Sequence, residues 1–118
     1  MTLINLDGRQ FSPVNNTKNG RVTSNSIFTY SQIGEQFCAV YPGEGFTDGH
    51  IIGKFTGVGI AELVYHCRGP KGELEVGTAN ATLNIDKFGL INIYMDWQWL
   101  NLDQSSGQSH YLEVKNDT

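Results

Sequence analysis

The chain is poor in cysteine and proline, and each shortage narrows the class of protein. Two cysteines and three prolines among 118 residues argue against both a disulfide framework and a proline-rich linker. We expect Cys38 and Cys67 to be free thiols buried within strands. No apolar run approaches the ~20 residues of a membrane-spanning helix, and the N-terminal segment lacks a signal-peptide pattern. A cytoplasmic protein of bacterial type, without membrane contact, is therefore expected.

Charge is also scarce. Charged residues make up 17% of the chain, and the formal net charge is −4. The lysines and arginines are scattered from Arg9 to Lys115, whereas a nucleic-acid binder needs a concentrated basic surface. We therefore expect no nucleic-acid partner. The ordinary hydrophobic content of 39% and the length predict one globular domain over residues 1–118.

The dominant positive signal is period-two alternation, interrupted at short intervals by glycine and polar turns. It predicts an all-β fold, and the connections are too short for crossover helices, so neighbouring strands should pair antiparallel. Closing this up-and-down meander into a barrel removes its exposed edges and covers its apolar face. The predicted strands span residues 9–14, 26–32, 36–41, 49–55, 60–68, 73–82, 90–100 and 109–114.

The alternation also assigns faces, because successive side chains of a strand point to opposite sides. The inner face should carry Ile91, Ile93, Met95, Trp97 and Trp99 of the seventh strand, with Leu63, Tyr65 and Cys67 of the fifth. By the same apolar criterion, Leu74 and Val76 of the sixth strand should face inward and Glu75 outward. In the eighth strand His110, Leu112 and Val114 should face inward and Tyr111 outward.

Four short segments carry a family resemblance: residues 63–67 (LVYHC), 72–77 (GELEVG), 97–99 (WQW), and the stretch from Gly107 to Glu113. Together they resemble a family of small bacterial proteins that are often labelled N-acetylglutamate synthase. The resemblance covers most of the chain from Gly8 onward. It implies a calycin-like barrel, in the broad lipocalin- or avidin-like sense, and it assigns no active-site residues.

The acetyltransferase label can be tested on residues 54–59 (KFTGVG), a near match to the glycine-rich turn that cradles a pyrophosphate. Such a turn requires a following helix, whose N-terminus supplies free amides and a favourable dipole. Here the next residues alternate like a strand from Ile60 onward. We therefore predict a glycine-rich hairpin turn at Gly57–Gly59, and no enzyme of that type.

The polar candidates are Glu62, His66 and Arg68, which share the outer face of the fifth strand. They would be the centre of any acid/base chemistry, but a solvated face with cross-strand ion pairs is the simpler interpretation. His66 and Cys67 point to opposite faces, and the other histidines lack ligand spacing. We predict no catalytic residue, no metal site and no cofactor.

The aromatic residues lead to two functional hypotheses. Tyr65, Trp97 and Trp99, with Tyr41, form a candidate ligand-binding set on the inner face, suited to a small apolar ligand. Alternatively, these rings fill the interior, which the size of the barrel favours, and the protein acts by self-association or by binding another protein. Exposed Tyr94 and Tyr111 would then serve an interface, for example in a homo-oligomer.

Overall fold

Eight antiparallel strands form a closed barrel in which each strand pairs with its neighbours along the chain. The structure is a computed structural model that describes residues 4–16, 27–41, 49–68, 72–101 and 104–114. The strands are β1 (Gln10–Asn16), β2 (Phe28–Ile33), β3 (Gln36–Tyr41), β4 (Gly49–Gly57), β5 (Ile60–Arg68), β6 (Leu74–Ile85), β7 (Ile91–Trp99) and β8 (Ser106–Glu113). The predicted all-β meander barrel is confirmed.

The barrel closes where β1 pairs with β8. Beside this seam the Arg9 guanidinium donates to Glu113 at 2.6 Å, and the second oxygen of Glu113 accepts the Ile91 amide at 3.1 Å. One carboxylate thus ties the segment before β1 to the first residue of β7. The backbone pairing of β1 with β8 leaves the sheet without a free edge, as the meander required.

Two predicted strands, β3 and β5, have the bounds that the alternation gave. The others differ at their ends: β6 continues to Ile85, and β8 begins at Ser106, where we expected a turn. The predicted start of the second strand, Ser26, lies outside the described residues. Among the described residues, no helix is long and apolar enough to cross a bilayer.

The glycine-rich segment between β4 and β5 is a hairpin turn, as predicted. Gly59 has a φ of +70°, a left-handed conformation that glycine adopts without strain. The Leu83 N–H, on the neighbouring strand β6, donates to the Gly59 carbonyl at 2.8 Å. Strand β5 begins at the next residue, so the helix that a pyrophosphate-binding turn requires is replaced by a strand.

The core is built by placing small residues of β6 between large residues of the two flanking strands. Ala79 lies between Leu63 of β5 and Trp97 of β7, and the neighbouring layer places Gly77 between Tyr65 and Trp99. The small side chains leave the volume that the flanking rings occupy, which is how a narrow barrel interior reaches close packing.

This packing reverses the predicted faces of β6 and β8. Glu75 is buried and Leu74 and Val76 are exposed, because Gly77, Ala79, Ala81 and Leu83 set the inward parity of β6. In β8, Ser109 and Tyr111 are buried. His110, Leu112 and Val114 lie on the other face, so the prediction for this strand was wrong as well. Cys38, expected to be buried, is exposed, whereas Cys67 is buried as predicted.

The base of the barrel, where β2, β4, β6 and β8 end, is filled by the segment before β1. Leu6 is fully buried there, and its amide donates to the Gln32 side chain at 2.8 Å. Above it, the Phe11 and Tyr30 rings meet edge to face at 5.2 Å, and Tyr30 contacts Phe37. The base is therefore closed by a packed aromatic layer.

Candidate functional site

The opposite rim, which we call the mouth, is where β1, β3, β5 and β7 end and the other four strands begin. The inward positions nearest this rim are Tyr41 on β3, Tyr65 and Cys67 on β5, Glu75 on β6 and Trp99 on β7. Three of the four predicted ligand-binding residues, Tyr41, Tyr65 and Trp99, thus lie close to the mouth, and Trp97 lies one layer deeper.

Three of the predicted aromatic residues form a connected row of rings, and the fourth, Tyr41, packs on a different ring. Tyr65 meets Trp99 edge to face at 5.2 Å, and Trp99 meets Trp97 at 6.1 Å. Tyr41 is stacked on Phe28 at 4.3 Å. Trp97, Trp99 and Tyr41 are buried, whereas Tyr65 is only partly buried. The set therefore presents one ring, Tyr65, toward the mouth and packs the others behind it.

Several polar side chains are hydrogen-bonded to these aromatic residues or lie next to them, and the sequence analysis did not place most of them there. Trp97 donates its indole N–H to the Ser109 hydroxyl at 2.7 Å. The Tyr41 hydroxyl is hydrogen-bonded to Cys67, and the Cys67 thiol lies 3.7 Å from Glu75 Oε1. Glu75 and Cys67 therefore belong to the mouth, and Ser109 lies below Trp97 in the layer of Met95. The run of glycine and alanine in β6 was the signal that could have placed Glu75 inside.

The Tyr65 hydroxyl is a buried polar group on the one partly buried ring of the set. The oxygen is shielded from solvent, yet it has no hydrogen-bond partner among the described residues. A buried hydroxyl without a partner costs about 1–3 kcal/mol. A ligand that reaches this oxygen with a donor or acceptor would remove that penalty.

The tyrosines at the mouth are held in their neutral form. Burial raises the pKa of Tyr41 and of Tyr65 far above the ordinary range, and nearby Cys67 and Tyr111 act in the same direction. Burial raises the pKa of Tyr111 to about 12. These groups are therefore hydrogen-bonding hydroxyls at neutral pH and are poorly suited to act as bases or nucleophiles.

The polar candidates lie elsewhere. Glu62, His66 and Arg68 are exposed on the outer wall, on the opposite face of β5 from the aromatic set. Glu62 makes a cross-strand ion pair with Lys54 at 3.4 Å, as the solvated-face interpretation predicts. Within the described segments, no group of three or more histidine, cysteine, aspartate or glutamate side chains could hold a metal ion.

A broad depression of about 1390 Å³ lies on the outer wall and not in the interior. Its lining on β2 to β5 combines the exposed apolar side chains of Ile33, Ile52 and Val64 with polar ones that include the Lys54–Glu62 ion pair. Its lining on β6 to β8 includes the polar side chains of Asn80, Asp96, Gln98 and Gln108, of which Gln108 donates to Asp96 at 2.8 Å. This surface suits a large partner better than a small ligand, because it is shallow and shared between seven strands.

A closed eight-stranded meander with a packed base and an aromatic mouth defines the calycin-like class of barrels. The sequence profile of the avidin-like proteins matches residues 4–114, and the chain belongs to that family. Barrels of this family typically bind small ligands and often form oligomers. No curated protein and no solved structure matches the chain significantly.

Proposed function

We propose that the protein is a non-catalytic binder of a small, mostly apolar ligand held at the mouth of the barrel. Tyr65 and Trp99 would contact the ligand directly, with Tyr41 and Trp97 supporting them from behind. The proposal is carried by one observation: the Tyr65 ring is only partly buried, while its hydroxyl is shielded and has no hydrogen-bond partner among the described residues.

The chemistry of the mouth favours a planar ligand with one polar group. Aromatic rings bind flat apolar surfaces well, and a single hydroxyl gives orientation. The neutral phenols and the indole provide hydrogen bonds and are poor nucleophiles, which supports binding in preference to catalysis.

Both tryptophans of the chain belong to the aromatic set, so tryptophan fluorescence reports on the mouth and on the layer beneath it. We expect a library of metabolites and lipids to contain a compound that shifts this emission saturably. For that compound, Tyr65→Phe should weaken binding about 10-fold, since one lost hydrogen bond contributes ~1–1.5 kcal/mol.

Tyr94→Phe is the matched control, because it removes the same atom from a ring on the outer wall that is 42% exposed. It should leave affinity unchanged. Equal affinity of the Tyr65→Phe variant and the parent would refute the assigned role of this hydroxyl. A library without any saturable response would refute the proposed function.

A second candidate function is self-association through the depression on the outer wall. The expected interface residues were Tyr94 and Tyr111, but Tyr111 is buried inside the barrel. What favours an interface instead is the shape of the wall together with exposed Ile33, Ile52 and Val64. A barrel of tilted strands is a hyperboloid, convex around its circumference and concave along its axis. Two identical walls crossed near 90° therefore fit each other.

Ile52→Glu tests this second candidate by placing a charge among the apolar side chains of the depression. If two copies associate there, sedimentation equilibrium should show a dimer for the parent and a monomer for this variant. Ile85→Glu is the control, because Ile85 is equally exposed (59% against 60%) and does not line the depression. A monomeric parent at several hundred micromolar would exclude a stable interface of the usual ~800 Å² per copy.

A further inference from the structure

Two of the three histidines lie directly opposite each other on the outer wall. His50 of β4 pairs with His66 of β5, and both side chains are exposed. Their rings are nearly parallel, 17° apart, with centroids separated by 5.2 Å. The pair lies on the outer face of the wall and does not line the depression. The aromatic set lies on the inner face of the wall, so neither of the two functions discussed above uses these histidines.

This spacing is suitable for chelation. Metal–nitrogen bonds of 2.0–2.1 Å place two imidazole nitrogens about 3–4 Å apart around one ion. Side chains that face each other across an antiparallel pair have Cβ atoms about 5 Å apart, so small ring rotations bring one nitrogen of each histidine into that range. Both rings are exposed and free of the packing that would prevent such rotations.

The surroundings define which ions the pair would accept. The next residues in the same cross-strand row are Val40 and Val76, which offer no ligand atoms. Arg68, two residues from His66 on the same face, is a cation and supplies no ligand atom. With two neutral nitrogen donors and no neighbouring carboxylate in this row, the pair suits copper, nickel or zinc and not magnesium or calcium.

We propose that His50 and His66 form a two-histidine binding site for a late first-row divalent metal ion, with water completing the coordination shell. The spacing along the chain gave no hint of this site, because the ligands are brought together by the β4–β5 register and not by a local motif.

Titration with Cu²⁺ in a non-coordinating buffer tests the proposal, since copper binds such donors most tightly in this series. We expect one copper per chain, with nitrogen hyperfine structure from two imidazoles in the electron paramagnetic resonance spectrum. His50→Gln and His66→Gln should each weaken binding at least ~10-fold, because even outer-shell changes at metal sites reduce affinity by that factor.

The third histidine supplies the control. His110 of β8 pairs with Tyr94 of β7 on the outer wall. It lies on different strands from His50 and His66, so His110→Gln should bind copper as the parent does. Copper should also raise the melting temperature of the parent and of His110→Gln, but not of His50→Gln. Unchanged affinity in the double variant His50→Gln/His66→Gln, or an equal loss in His110→Gln, would overturn the proposal.

Discussion

Replacing Gly77 by alanine is expected to lower the free energy of unfolding by about 2–3 kcal/mol, the usual range for overpacking a filled core. Gly77 faces inward on β6, with Tyr65 and Trp99 on either side of it. A β-carbon at this position would overlap the Tyr65 ring and lie 2.6 Å from the Gln98 carbonyl oxygen. The ring could move, but the carbonyl belongs to the paired backbone of β7 and cannot move without breaking the ladder.

Urea denaturation followed by circular dichroism measures this loss. Gly57→Ala is the matched control, because a β-carbon there would meet only the Ile60 side chain, at an ordinary 3.8 Å. Its free energy of unfolding should change by less than about 0.5 kcal/mol. Similar denaturation midpoints for the two variants would show that β6 is not held as closely to the Tyr65 layer as described.

Between pH 10 and pH 12 the protein is expected to unfold cooperatively. Burial raises the pKa of Tyr30 and of Tyr41 far above the ordinary value of about 10, and raises the pKa of Tyr111 to about 12. These tyrosines stay protonated in the folded state, while in the unfolded chain they lose their protons above pH 10. The unfolded state then binds fewer protons, so stability falls as pH rises through this window.

The size of the effect follows from ~1.4 kcal/mol per pH unit for each group. At pH 12 the three tyrosines together would remove roughly 7 kcal/mol, comparable with the 5–15 kcal/mol that stabilises a typical domain. Tyrosinate absorbance near 295 nm and far-UV circular dichroism should therefore change together for these residues. Full tyrosinate absorbance below pH 11 with unchanged circular dichroism would contradict the described burial.

Two tyrosine variants separate this mechanism from general alkaline damage. Tyr30→Phe removes one buried ionisable group. Between neutral pH and pH 12, this variant should therefore lose less free energy of unfolding than the parent does. Tyr94→Phe removes a phenol from the outer wall and should lose as much free energy of unfolding as the parent does.

The number, order and approximate bounds of the strands could be predicted because alternation is a local property of the chain. Strand β5 shows this best, since turn residues flank it and its inward residues Leu63 and Cys67 alternate with the outward residues Glu62, His66 and Arg68. Closure also followed from physical reasoning, because an open meander would leave two unpaired edges.

The faces of β6 and β8 could not be predicted from hydrophobicity alone. The inward residues of β6 are glycine and alanine for most of its length, so their apolar character is weak beside that of Leu74 and Val76. Their role appears only when the register places Trp97 next to Ala79 and Gly107. The fit of large and small side chains on neighbouring strands therefore determines which face of β6 and β8 is buried. That fit depends on residues that are far apart in the sequence.

The candidate site was predictable to the same extent. Tyr65, Trp97 and Trp99 were expected on one face, and the structure brings them into contact through the layer of β6. Glu75 and Ser109 were missed because their strands were assigned the wrong parity. The His50–His66 pair was missed because sixteen residues of sequence separate two side chains that the hairpin places opposite each other.

The seam between β1 and β8 has a kinetic consequence. Arg9 and Glu113 are 104 residues apart, so the contact that completes the sheet joins almost the most distant parts of the described chain. Such contacts form only after the chain between them has been ordered, so closure of the β1–β8 seam is expected to be a late step of folding. Until β1 docks, β8 presents an open edge to any other chain nearby. Dilute refolding conditions should therefore favour the native barrel over intermolecular strand pairing.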